Sequence, residues 1–335
     1  MVCHPHQHSA KWPHLRLTFA TPLAKARLLR VCLWSLFLCA ASSQIGFCQA
    51  LDEFSAKGKS VLEGVNITPE MVPIIQEKAS KGDAKSQYVL AWLYFTGQSV
   101  EKNNALAVQW MTEAAKQDYK FAQTQLGLMY LAAKNIPENY VLAREWLVKG
   151  AAHGENDALN ALGVIYSQGL GVEANGQEAV KYFRKAADAG FDTAQFNLGY
   201  QYYTGKLVQQ DYKEAAKLFQ QAAQQDHVRA AYSLGVMYRD GQGVPQDGAE
   251  AIRFFQKVAE NHHFSAAEHN LGAMYYAGKG IPQNLVLAYM WLSLAADAGF
   301  EPSKKLLPTV SEKMTPEQIA EGKKKAQDWS KAHAI

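Results

Sequence analysis

The four cysteines, Cys3, Cys32, Cys39 and Cys48, all precede Leu51, so the rest of the chain carries no thiol. That removes a disulfide scaffold, a thiolate metal site and a cysteine nucleophile from everything downstream. The histidines beyond Leu51 are His153, His227, His262, His263, His269 and His333. No HExxH pair, nucleophile elbow or phosphate-binding loop accompanies them. The densest group of potential ligands is His262-His263 with Glu268 and His269. A metal there would need ligands converging from a turn and from the following helix. The competing expectation is surface histidines, because His262 falls where other units place Gly190 or Asp226. No cofactor, no metal and no catalytic residue is expected, and the chemistry left is recognition.

Any recognition surface must be carried by a folded body, and the composition provides one. The chain has 335 residues, 48% hydrophobic and 19% charged, which suits a packed core and not a disordered chain. Its formal charge of +3 is misleading: Lys11, Arg16, Lys25, Arg27 and Arg30 all precede the first acidic residue, Asp52, so removing those five charges leaves −2 for the remainder. A nucleic-acid partner is therefore not expected. The uncharged stretch from Val31 to Leu51 follows that basic cluster, and its apolar part, residues 31–41, is about half the ~20 residues needed to span a bilayer. This pattern predicts a secretory signal over residues 1–50, cut after Ala50 or near Ala41, and a periplasmic or secreted body. The alternative is an uncleaved signal anchor, the one case in which a membrane is a partner; both leave the body outside the cytoplasm.

The body repeats itself. The pattern Leu-Gly-x-Met-Tyr recurs from Leu90, Leu126, Leu162, Leu198, Leu234 and Leu271, at spacings of 36 with a final 37. In phase with it run Ala107, Ala143, Ala179, Ala215, Ala251 and Ala288, each followed three residues later by Trp110, Trp146, Tyr182, Leu218, Phe254 or Trp291. Both sets have helical spacing, so each unit reads as two amphipathic helices, A and B. Glycines such as Gly169, Gly171, Gly241 and Gly243 suit the turn between them, and Asn103, Asn139, Asn175, Asp211, Asp247 and Asn284 are placed to cap helix B. The Tyr94–Tyr275 row and the Trp110 row are expected in the core. Ile74, Ile75 and Ala79 fall in the B register one unit upstream, which predicts a leading half unit. Thr315-Pro316-Glu317 opens a terminal helix as N-cap, N1 proline and acidic first turn. The predicted fold is an all-α, right-handed α-solenoid of about six 36-residue helix-turn-helix repeats: linker 51–68, repeats 69–303, capping helices 304–335.

These units resemble Sel-one-like repeats, relatives of the tetratricopeptide repeat with a longer glycine-bearing loop. Ala230 to Ala259 follows the family's usual A..LG.MY..G.GV..D...A..W...AA pattern closely. Ala91 departs from it in the first copy, and Ala133 with Asn135 in the second. The resemblance implies an interaction scaffold. Some secreted relatives are reported to bind penicillin or to have weak β-lactamase activity, but those carry paired cysteines in each repeat, which this chain lacks.

The analogy with tetratricopeptide grooves selects the A-helix positions two before Leu-Gly, one after Gly and one after Tyr. The predicted partner-binding residues are Tyr88, Trp92, Asn160, Phe196, Tyr200, Tyr203, Tyr232, Arg239, His269 and Tyr276. Curvature that buries these positions between adjacent A helices is the competing expectation, above all for Trp92, Phe95 and Phe196. The partner is expected to be another protein or a peptide, with a cell-wall glycan as the other ligand class, and the chain to be monomeric. A non-catalytic adaptor is the first reading of function. An enzyme or regulator acting on peptidoglycan or a β-lactam, and a membrane-anchored scaffold, are the others.

Overall fold

The computed structural model describes residues 67–132, 139–262, 264–278 and 280–333; the predicted signal and almost all of the linker lie outside them. After a short turn of 3-10 helix, Pro69–Met71, come fifteen α-helices among the described residues. The first, α1 (Val72–Ser80), is the half unit. Six A/B pairs follow: α2 (Ala84–Thr96) with α3 (Asn104–Lys116), α4 (Lys120–Ala132) with α5 (Tyr140–Ala152), and α6 (Asn156–Gln168) with α7 (Gly176–Asp188). The last three are α8 (Asp192–Thr204) with α9 (Tyr212–Ala223), α10 (Val228–Asp240) with α11 (Gly248–His262), and α12 (Ser265–Ala277) with α13 (Leu285–Asp297). Each helix packs on its sequence neighbours, which is solenoid architecture. Two terminal helices, α14 (Glu301–Ser311) and α15 (Pro316–His333), both pack on α13.

Local chemistry sets the boundaries. All six predicted caps form: Asn103, Asn139 and Asn284 each accept from the amide three residues on, and Asn175, Asp211 and Asp247 from the amides two and three on, satisfying donors the first helical turn leaves free. Helices α2, α6, α8, α10 and α12 end on a glycine in the left-handed region, Gly169 with φ 71° among them. Thr315 and Gln318 cap α15 reciprocally: the Gln318 amide donates to the Thr315 hydroxyl at 3.3 Å, and the Thr315 amide donates to Gln318 Oε1 at 3.0 Å.

The small residues let A and B helices touch. A Cβ on Gly163 would lie 2.5 Å from the Phe183 ring, so only glycine admits that ring. Leu93, Leu126, Leu147, Ile165, Phe183, Leu198, Phe219 and Phe255 are fully buried along the whole array. The Tyr and Trp rows expected in the core instead form a half-buried seam between each A helix and its partner: Tyr166 stacks on Tyr182 at 5.6 Å, Tyr238 on Phe254 at 5.7 Å. Lys149, Lys181 and Arg253 lie over the B-helix rings Trp146, Tyr182 and Phe254, which explains why they tolerate partial exposure. Only Leu218 and Trp291 of the B row are buried, Trp291 because α15 sets Trp329 edge-on against it at 5.5 Å.

Candidate partner-binding face

The ten predicted residues do not form one surface. Tyr88 and Trp92 are buried and Asn160 nearly so, which corrects the expectation that they face a ligand. Tyr88 packs edge-on against Tyr119 at the end of the same unit at 5.4 Å, and Trp92 lies in the core cluster against Phe95. Asn160 accepts a hydrogen bond from Asn197, 2.8 Å away on the following A helix. The other seven, Phe196, Tyr200, Tyr203, Tyr232, Arg239, His269 and Tyr276, are half-buried and sit on consecutive A helices α8, α10 and α12.

The aromatic residues among them are half-buried and packed on neighbouring rings or a cation. Phe196 stacks on His227 at 4.8 Å and leans on Tyr200 at 6.2 Å. Tyr203 meets Tyr212 edge-on at 5.4 Å, and Tyr232 meets Phe264 edge-on at 5.1 Å. Tyr276 carries the Lys313 ammonium 4.9 Å from its centroid.

A polar chain ties these rings across units. The Arg239 guanidinium donates to both Asp240 carboxylate oxygens, at 2.8 and 2.7 Å, and to Asn270 Oδ1 at 2.6 Å. Asn270 Nδ2 in turn donates to the Tyr232 hydroxyl at 3.0 Å, and the Tyr203 hydroxyl donates to Gln242 Oε1 at 3.0 Å. Such satisfied networks fix side-chain orientation. Burial works against the Arg239 charge, yet hydrogen bonding and attraction to Asp240 outweigh it and raise the pKa. Burial pushes the Tyr203 phenol up to about 12 and raises Tyr232 as well, so both phenols remain neutral. A hollow of about 250 Å³ opens beside Arg239, bordered by Gln246, Asp247 and Met274.

At the turn end of this face two titratable groups are displaced. Burial, helped by the Arg239 charge, lowers the His269 pKa to about 4; the imidazole is therefore neutral, bonded to Ser303 Oγ at 2.9 Å and tilted on Phe300. Neighbouring Glu268 is only 3% exposed, Oε2 has no hydrogen-bond partner, and burial raises its pKa to about 7. Its register position, three before the helix-A leucine, is glutamine at Gln87, Gln123 and Gln195. There the amide donates to Ala79, Ala115 and Ala187 carbonyls at 3.0, 3.3 and 3.3 Å. The equivalent carbonyl for Glu268 is Ala259, one residue farther back because the extra residue of the 37-residue unit lies in that turn.

Sequence reasoning missed Asn270, Asn197 and the glutamine row, although their recurrence in phase with the leucines was visible. Of the residues weighed as a metal alternative, His263 and the His262 side chain lie outside the described residues, and the described residues contain no group of three metal-ligating side chains. No described helix is long and apolar enough to cross a membrane.

Comparison with known proteins accounts for this arrangement. The chain is 26% identical to a Sel1 repeat protein from Oxalobacter formigenes, over 72% of this chain and 99% of that one, with a TM-score of 0.62. It also shares the fold of c5321, a protective antigen of uropathogenic Escherichia coli strains displaying an SLR fold, at 23% identity over 84% of this chain and 68% of that one, with a TM-score of 0.52. No curated protein sequence matches. The Sel1 repeat family matches at residues 84–119, 120–155, 156–191, 192–227, 228–263 and 265–300, the same units that the helix pairs define. With six in-phase repeats covering more than half its length, the chain belongs to the Sel1 repeat family.

Proposed function

We propose that this protein is a non-catalytic adaptor of the bacterial periplasm or cell envelope that holds a partner protein or peptide on the A-helix face of its last three repeats. Sel1 repeat proteins are in general non-catalytic protein-interaction scaffolds. The observation that carries the reading is the run of half-buried Phe196, Tyr200, Tyr203, Tyr232 and Tyr276 around the oriented Arg239–Asn270–Tyr232 chain. Half-buried aromatics beside fixed polar groups are what protein interfaces use as anchors. The compartment rests on the leader-like residues 1–50, and a mature N-terminus at Leu51 supports it; a chain that retains its first residues in the membrane fraction refutes the cleaved-signal reading.

The test is a crosslinking pull-down from the envelope fraction with wild type and with Tyr200→Glu plus Tyr276→Glu, both checked for helix content. These two positions are chosen because Tyr203 and Tyr232 also support the core through Phe219 and Phe255. A protein retained only by the wild type supports the adaptor reading and names the partner. Equal retention by both removes this face from the mechanism. Retention of cell-wall fragments and no protein transfers the site to a glycan.

A further inference from the structure

Adjacent units meet where the first residue of a B helix touches the connector of the next unit. Among the described junctions the touching pairs are Tyr140 with Gly171, Gly176 with Leu207, Tyr212 with Gly243, and Gly248 with Gly280. The chains run so close there that a Cβ on Gly171 would lie 2.7 Å from Tyr140 Cβ, and one on Gly176 2.7 Å from Leu207 Cβ. Each of the first three junctions sets one glycine against one large side chain, and Tyr140, Leu207 and Tyr212 are all half-buried. From its junction the Tyr212 ring reaches Tyr203, the residue that follows the A-helix tyrosine, and meets it edge-on at 5.4 Å. The fourth junction has glycine on both sides and so supplies no such side chain.

The hollow of about 250 Å³ beside Arg239 opens at this fourth junction, with Gly248, Gly280 and Met274 in its wall. Arg239 holds the register of Tyr203, and Gln246 that of Gln210. Gln246 Nε2 donates to the Arg239 carbonyl at 2.7 Å, as Gln210 Nε2 donates to the Tyr203 carbonyl at 2.9 Å. The frame beside the Tyr212 ring is thus repeated here, and the ring is not. The space is ample, since a cavity of about 150 Å³ takes a benzene ring. Charged occupants are disfavoured from both sides: a carboxylate would find the guanidinium already bonded to both Asp240 oxygens and would face Asp247, while an ammonium would face Arg239. A neutral ring lies well on a guanidinium plane and against a methionine side chain. We propose that the hollow is a socket for one aromatic side chain of the partner, which takes the place that Tyr212 fills one unit earlier. This rests on the adaptor reading above and adds the chemistry of one anchor.

The probe is p-cresol, the tyrosine side chain as a free molecule, titrated into the full chain with its methionine methyl groups labelled for NMR. The Met274 methyl signal is expected to shift saturably, with a dissociation constant of about 1–10 mM, a range suited to so small a ligand. Gly248→Tyr, which restores the pairing of Tyr212 with Gly243, is expected to weaken that binding by about tenfold or more at unchanged helix content. No saturable shift at Met274 overturns the proposal, and this arm needs no variant. Equal binding by a folded Gly248→Tyr protein overturns it too, as does a Met274 shift produced by acetate or methylammonium and not by p-cresol. An envelope protein that the wild type and the folded Gly248→Tyr variant retain equally removes the socket and leaves the adaptor reading in place. Equal retention by the Tyr200→Glu plus Tyr276→Glu protein instead removes the adaptor reading, and the socket's role with it.

Discussion

Glu268→Gln tests how burial and register act together. In the folded chain burial raises the Glu268 pKa from 4.5 to about 7, so the native state holds this proton more tightly than the unfolded one. Between those two values stability therefore falls as pH rises, and above pH 7 the loss is complete. At ~1.36 kcal/mol per pKa unit the ceiling is about 3 kcal/mol. Local relaxation and water entry at a helix start reduce this to about 1–2 kcal/mol. Glutamine, the residue of the corresponding positions 87, 123 and 195, has no proton to lose. The variant is expected to match wild type near pH 4.5 and to exceed it by about 1–2 kcal/mol at pH 8, measured by urea unfolding in the same buffers. His269, with its pKa lowered to about 4, is neutral throughout most of this window, and comparing variant with wild type cancels the other titrating groups. A difference that stays constant from pH 5 to pH 8 refutes the reasoning.

Other perturbations follow from the packing. Gly163→Ala is expected to cost about 1–3 kcal/mol, seen as a lower Tm, because its Cβ would meet the Phe183 ring at 2.5 Å; an unchanged Tm contradicts the close approach. Trp329→Ala removes the ring that covers Trp291 and is expected to lower stability by about 3 kcal/mol, with faster amide exchange concentrated in α13 and α15. Asn175→Ala deprives α7 of its cap to two amides and is expected to cost about 1 kcal/mol in chemical unfolding. Replacing Tyr203, Tyr232 and Tyr276 together by alanine is expected to reduce stability measurably as well as binding, because two of the three rings pack against Phe219 and Phe255; an unaltered Tm contradicts that packing.

The number of units, their phase, the helix pairs and the six B-helix caps were all legible in the sequence. Each depends on interactions within one unit or on a spacing that recurs every 36 residues, so local chemistry reports it. The absence of thiols beyond Cys48 likewise removed whole classes of chemistry before any fold was known. Which groove positions face outward was a tertiary decision. Tyr88 and Phe196 share one register and pack on rings of one register, Tyr119 and His227, yet Tyr88 is fully buried and Phe196 half-buried, a difference the repeat pattern does not contain. The same holds for Ile74, whose period placed it with the seam residues Tyr182 and Phe254, yet it is 55% exposed where those are half-buried against Tyr166 and Tyr238. The hydrogen bonds joining Asn160 to Asn197 and Tyr232 through Asn270 to Arg239 span 31–38 residues. Only the rotation between successive helix pairs decides whether such side chains meet, and no single unit encodes that rotation.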